Sequence, residues 1–244
     1  MQKYDLSYKR FGERAVLIEW PPIIDRDILG DVLIFKKKIL DFYSDENTQT
    51  THAYQSIVVY YSYNDFNYEK ELAALKGLYS SDTEIKKDFS RLWTIPVCYD
   101  DHFGIDLEEL SSLKNLSKEE IISLHTQAIY PVYFIGFLPG FLYLGGLNKL
   151  LHTPRRQSPR LKVSQGAVAI GGKQTGVYPN ESPGGWHIIG NSPMHFFDAS
   201  KSSPCFAKAG DSIKFSSISL EEYGTIRALV EADVYQMESE VLDG

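Results

Sequence analysis

YPVYFIGFLPGFLYLGGLNKLLHTPRRQSPRLKVSQGAVAIGGKQTGVYPNESPGGWHIIGNSP, residues 130–193, is the stretch whose reading decides the fold. It carries 11 of the 18 glycines and 7 of the 11 prolines. Glycine serves where the backbone needs positive φ or close approach, proline where φ must be fixed. A flexible linker is also rich in such residues but lacks apolar anchors. Here they alternate with aromatics and with β-type runs such as Ala167-Val168-Ala169-Ile170. The stretch therefore reads as rigid turns on a β scaffold. Arg155, Arg156 and Arg160 are set among them, with Pro154 and Pro159 restricting the backbone.

Downstream, Met194–Asp198 and Ser212–Phe215 read as two more strands, Leu220–Val230 as weakly helical, and Met237–Gly244 as an acidic, frayed tail. Upstream, Trp93–Tyr99 is β-like and Asp106–Leu113 a short acidic helix. Ser117-Lys118-Glu119-Glu120 is a capping box, opening a helix that carries His125 in its final turns. A histidine there serves either packing and the helix dipole or a site. Many short strands with Gly/Pro turns predict a closed or nearly closed β-barrel.

Nearer the amino end, residues 4–20 read as a strand pair or a strand with a turn. Asp25 and Asp27 then precede Ile28, Val32, Phe35 and Ile39 at helical spacing. Ser44–His52 reads as a polar loop with an exposed His52, residues 56–61 as a strand, and Tyr68–Lys76 as a helix ended by Gly77. Strands alternating with single helices predict a compact α+β unit of ferredoxin-like kind. Ser80–Ser90 reads as a linker or extra helix. The expected division is thus an α+β domain over 1–90 and a barrel over 91–244.

The formal charge of −7 argues against nucleic acid as the main partner. Cys98 and Cys205 stand far apart, without a CxxC or a neighbouring His, and read as reduced. The N-terminal residues show no signal peptide. Residues 130–147 are uncharged over about the length of a membrane span, but two prolines and four glycines interrupt them. A cytoplasmic protein without a membrane partner is expected.

GAVAIGGK, residues 166–173, has the wrong spacing for a P-loop, and Gln174 stands where Ser or Thr should be. It reads instead as strand and turn, leaving Lys173, Gln174 and Thr175 at an exposed rim. The arginines suit carboxylate or phosphate, or else ordinary surface ion pairs. Phe137, Phe141, Tyr143, Tyr178 and Trp186, next to Gly or Pro, form either a pocket wall or core plugs. No GxSxG elbow is present, and His152, His187 and His195 lack metal-ligand spacing, so no metal site is expected.

Taken together, Tyr130–Gly146, Thr153-Pro154-Arg155-Arg156, Pro159-Arg160, Ala169–Gly172, Gln174–Pro179 and Ser182–Trp186 closely resemble the family of 5-oxoprolinase B subunits (PxpB), also labelled allophanate hydrolase subunit 1 or KipI. Gly12–Ala15 and Ile95–Tyr99 extend the resemblance over nearly the whole chain. It implies a ferredoxin-like α+β domain followed by a cyclophilin-like β-barrel. It further implies work with partner subunits C and A in ATP-dependent opening of 5-oxoproline, a small anion, to glutamate. ATP would enter as a substrate of the complex with magnesium, at a site the sequence does not locate. The alternative within the family is inhibition of a sporulation histidine kinase. On the enzyme reading, Arg155 and Arg160 grip the carboxylate or a phosphorylated intermediate. Gln174, Thr175 and Tyr178 supply hydrogen bonds, Phe137 and Trp186 an apolar wall, and His125 carries a proton.

Overall fold

The computed structural model describes residues 4–44, 47–82 and 89–242. They fall into two compact units, one up to residue 82 and one from Phe89 onward. The first runs β1 (Ser7–Arg10), β2 (Ala15–Glu19), α1 (Arg26–Phe42), β3 (Thr48–His52), β4 (Ser56–Tyr61) and α2 (Tyr68–Ser80). Its strands form an antiparallel sheet in the order β1-β2-β4-β3. Alternation along β2 and β4 turns Val16, Ile18, Ile57, Val59 and Tyr61 to one face. There they meet Ile28, Val32, Phe35 and Ile39 of α1 and Leu75 of α2. Asp25 caps α1, accepting from the amides of Asp27 and Ile28.

Three local expectations need correction. Thr48–His52, expected as loop, is an edge strand, and its threonines are β-branched residues suited to a pleat that is half solvated. His52 is half-buried rather than exposed, with Nδ1 3.3 Å from Lys36 Nζ. Gly77 does not end α2, which continues to Ser80; no neighbour presses on Gly77 and its φ is not positive. Residues 83–88 of the expected linker lie outside the described residues. The element order is ββαββα, whereas a ferredoxin-like chain runs βαββαβ; the unit shares with that motif the split β2-α1-β3 crossover with β4 inserted between its strands.

The second unit runs β5 (Ser90–Cys98), α3 (Leu107–Lys114), α4 (Lys118–Gln127), β6 (Ile129–Ile135), β7 (Leu142–Leu144), β8 (Arg160–Val163), β9 (Ala167–Gly171), β10 (Gln174–Val177), β11 (Ser182–Gly184), β12 (His187–Asn191), β13 (Ser212–Ile218), α5 (Leu220–Glu231) and β14 (Ser239–Leu242). Seven strands close in the order β12-β9-β10-β7-β6-β13-β5, Asn191 pairing with Cys98 to complete the ring. This is the expected α+β chain with a closed β-barrel. Among the described residues only β13 and β5 pair in parallel. Ile95, Val97, Tyr130, Val132, Leu142, Leu144, Val168, Ile170, Val177, Ile189, Ile213 and Phe215 are all fully buried within one core. Each such side chain contributes about 1.5–3 kcal/mol.

Outside the ring, β8 and β11 pair as a two-stranded ribbon. The tail expected to fray is partly ordered: β5 is long enough to hold β14 along Ser90–Trp93 while reaching β12 at Cys98. Met194–Asp198 is not a strand. Met194 and Phe196 are buried and His195 exposed, a β-like alternation without a ladder, with the Phe196 backbone packed against Gly140. The uncharged stretch 130–147 is β6, a turn and β7; among the described residues no helix is long and apolar enough to cross a membrane.

Candidate functional site

Several glycines of the central stretch are seats for aromatic rings. A Cβ on Gly171 would collide with the Trp186 indole, one on Gly184 with the Tyr178 ring and hydroxyl, and one on Gly176 would press on Phe141 and Trp186. Phe141 is the hub, edge-on to Phe137 at 5.7 Å, Tyr178 at 5.6 Å and Trp186 at 5.7 Å, and 5.0 Å from Tyr143. Phe141, Tyr178 and Trp186 are buried and form, with Ala167, Ala169 and Ile188, an apolar cluster separate from the barrel core, with Tyr143 packed against it. Phe137 stands proud of it, 66% exposed with φ of 65°. A bulky residue held there stores about 1–3 kcal/mol of strain, a feature that gathers at functional sites.

Arg155 lies at the edge of this cluster. Its guanidinium is 5.7 Å from the Trp186 ring centroid, within cation–π range. Arg155 is exposed and makes no ion pair among the described residues. Arg156 and Arg160 behave differently. Arg160 grips the buried Asp106 carboxylate with both Nη atoms, at 2.9 and 2.6 Å. Arg156 reaches the same carboxylate at 3.3 Å and Glu109 at 2.6 Å. Two carboxylates thus balance two guanidinium groups, and Arg155 is the surplus cation. Arg160, expected to grip a ligand, has its fork on Asp106 in this structure. Burial pushes the Tyr178 phenol up, opposed by the backbone hydrogen bond from Trp186 and by Arg155 and Arg160 nearby.

The backbone around Arg155 is held on both sides. His187 Nε2 lies 3.1 Å from the Pro154 carbonyl, and the Arg156 amide donates to Gly185 O at 2.7 Å. Thr153 and Gly172 pair just upstream.

The remaining sequence candidates separate from this face. Thr175, expected at an exposed rim, is fully buried and points into the barrel, donating to Ala169 O at 3.0 Å. Its hydroxyl is 2.8 Å from His125 Nε2, and His125 Nδ1 is 2.7 Å from the Tyr99 hydroxyl. His125 stacks on Phe215 at 4.6 Å and has no exposed surface. Burial lowers its pKa to about 3, so the ring is neutral. In this conformation no solvent or ligand reaches it. Gln174 is half-buried at the start of β10, opposite Gly171.

Sequence reasoning misses Asp106. In the sequence it is only the start of an acidic helix, and no local signal reveals a partner at position 160. A concave region of about 330 Å³ opens between residues 164–165 and α5, lined by Ser192, His195, Tyr223 and Arg227 among others. Its cation, Arg227, is already paired with Glu231 at 2.9 Å. Charge therefore favours Arg155 as the anion contact, although the hollow lies elsewhere on the unit.

Residues 6–207 match the family model described as carboxyltransferase domain, subdomain C and D, which sets the class. Over 229 residues the chain is 35% identical to the 5-oxoprolinase B subunit of Bacillus subtilis, covering 88% of this chain and 94% of that protein. Over 121 residues it is 49% identical to the 5-oxoprolinase B subunit of Haemophilus influenzae, covering 50% of this chain and 57% of that protein. Among solved structures, TTHA0988 superposes with a TM-score of 0.73 at 30% identity, covering 84% of this chain; the chain spans only 40% of that protein's length. The chain belongs to the family of 5-oxoprolinase B subunits.

Proposed function

We propose that this chain is the B subunit of a multi-subunit, ATP-dependent 5-oxoprolinase that opens 5-oxo-L-proline to L-glutamate together with subunits A and C. The observation that carries the reading is the uncompensated Arg155 guanidinium set against the Trp186 indole at the edge of an aromatic face. 5-Oxoproline is a flat five-membered lactam bearing one carboxylate. Its ring suits the exposed Phe137 ring at the rim of the aromatic cluster, and its carboxylate suits the fork of Arg155.

A lactam is a poor electrophile. Phosphoryl transfer from ATP to its oxygen activates the ring carbon. Water then adds, the C–N bond breaks with nitrogen leaving as the amine, and a second water releases phosphate from the acyl phosphate. Arg155 holds the substrate and offsets the charge that develops beside it. Residues 166–173 are spent on β9 and its turn, so that run offers the ATP phosphates no cradle. We assign the nucleotide and its magnesium to one of the partner proteins, and His125 to packing.

The test is reconstitution. Glutamate is expected to form only when this chain, subunits A and C and ATP are combined. Stoichiometric block of a histidine kinase's autophosphorylation, without glutamate formation by the mixture, would replace this reading with the inhibitor one.

A further inference from the structure

We propose that Asp106 is a positioning residue whose carboxylate, acting through Arg160 and Arg156, fixes Arg155 over Trp186; this rests on the substrate role given to Arg155 above. Asp106 is the N-cap of α3, yet its side chain does not cap that helix. Asp25, Asn67, Ser117 and Ser219 all cap theirs. The Asp106 oxygens turn instead to the loop beneath the candidate site. Oδ2 accepts from the Ile188 amide at 2.6 Å and from Arg160 Nη1 at 2.9 Å. Oδ1 accepts from Arg160 Nη2 at 2.6 Å and from Arg156 Nη1 at 3.3 Å. The Asp106 amide in turn donates to Ile188 O at 3.0 Å.

One carboxylate, 3% exposed, thereby joins the start of α3, strand β12 and both ends of the segment 156–160. Arg155 precedes that segment, and its other neighbour, Pro154, is held by His187. A bidentate guanidinium–carboxylate pair fixes direction as well as distance. A residue in this place sets the orientation of the Arg155 side chain without touching a ligand. Small misplacements of a binding group have large kinetic effects, on the order of a hundredfold for about 1 Å.

The test uses Asp106→Asn and Arg160→Gln in the full chain, with two readouts. The first needs no activity: the Arg155 side-chain protons lie against an indole, so their NMR signals are displaced upfield by ring current, with assignment by their loss in Arg155→Lys. Both variants are expected to return these signals towards free-arginine positions. The second is steady-state kinetics of the reconstituted complex. KM for 5-oxoproline is expected to rise roughly ten- to hundredfold while KM for ATP stays unchanged. A merely structural role would lower thermal stability and leave that KM split absent. A folded variant that keeps the displaced signals overturns the proposal, as does a wild-type KM for 5-oxoproline. Should Asp106→Asn fail to fold, Arg160→Gln decides. Should the wild-type complex form no glutamate, the proposed function fails, and the NMR readout still decides whether Asp106 positions Arg155.

Discussion

Phe137 and His125 show how differently two candidates from one sequence can be placed. Phe137 holds a left-handed backbone with its ring in solvent, so burial gives little in return for the strain. Phe137→Gly relieves that strain, at some entropic cost in the unfolded chain. The expected outcome is stability within about 1 kcal/mol of wild type by urea unfolding, with weaker substrate binding by the reconstituted complex. His125 is the opposite case. Its pKa is about 3 in the folded chain against an ordinary 6.5. Below pH 6.5 the unfolded chain takes up a proton that the folded chain refuses, so stability is full above 6.5 and is lost as pH falls towards 3. The slope is about 1.4 kcal/mol per pH unit for this one group. Urea titrations at pH 6.5 and 4.5 are expected to show wild type losing about 2 kcal/mol more than His125→Gln over that interval. Equal losses would show that the histidine is not held neutral.

At the scale of elements, the glycine-rich turns are packing devices. Gly171 lies in β9 without positive φ, so replacing it acts through sterics alone. Gly171→Ala drives a methyl into the Trp186 ring and is expected to cost about 1–3 kcal/mol. Trp186 should move from beneath Arg155, visible as a changed tryptophan emission and loss of substrate binding. Gly77→Ala in α2 meets no neighbour and should instead gain about 0.5–1 kcal/mol.

The elements also mark how far the sequence can be read. The barrel is legible because Gly/Pro punctuation separates β-type runs, and α1 and α4 because stripe and capping box are local patterns. α5 is stronger than its sequence expectation, since Ser219-Leu220-Glu221-Glu222 forms a second capping box. Thr48–His52 escapes a pattern reading because an edge strand carries polar residues. Ser239–Leu242 escapes it because its strand character depends on pairing with Ser90–Trp93, at the other end of the unit's sequence. Of the candidate site, the aromatic cluster is legible from aromatics beside glycines. The sorting of the three arginines is not: it depends on Asp106, 54 residues upstream of Arg160. The burial of Thr175 and His125 is hidden as well, because which face of β10 and α4 points inward is a property of ring closure.

At the scale of the whole molecule, the proposed function has the aromatic cluster beside the seven-strand barrel and the unpaired Arg155 hold the substrate within the complex. A single experiment bears on this most directly. Arg155→Ala is combined with wild-type subunits A and C, 5-oxoproline and ATP, and glutamate formation is measured with thermal melting as a control on folding. Arg155 is exposed and makes no ion pair among the described residues, so the melting temperature should not change. The predicted result is that kcat/KM for 5-oxoproline falls by about a hundredfold in the properly folded variant. Wild-type kcat/KM in that variant would contradict it.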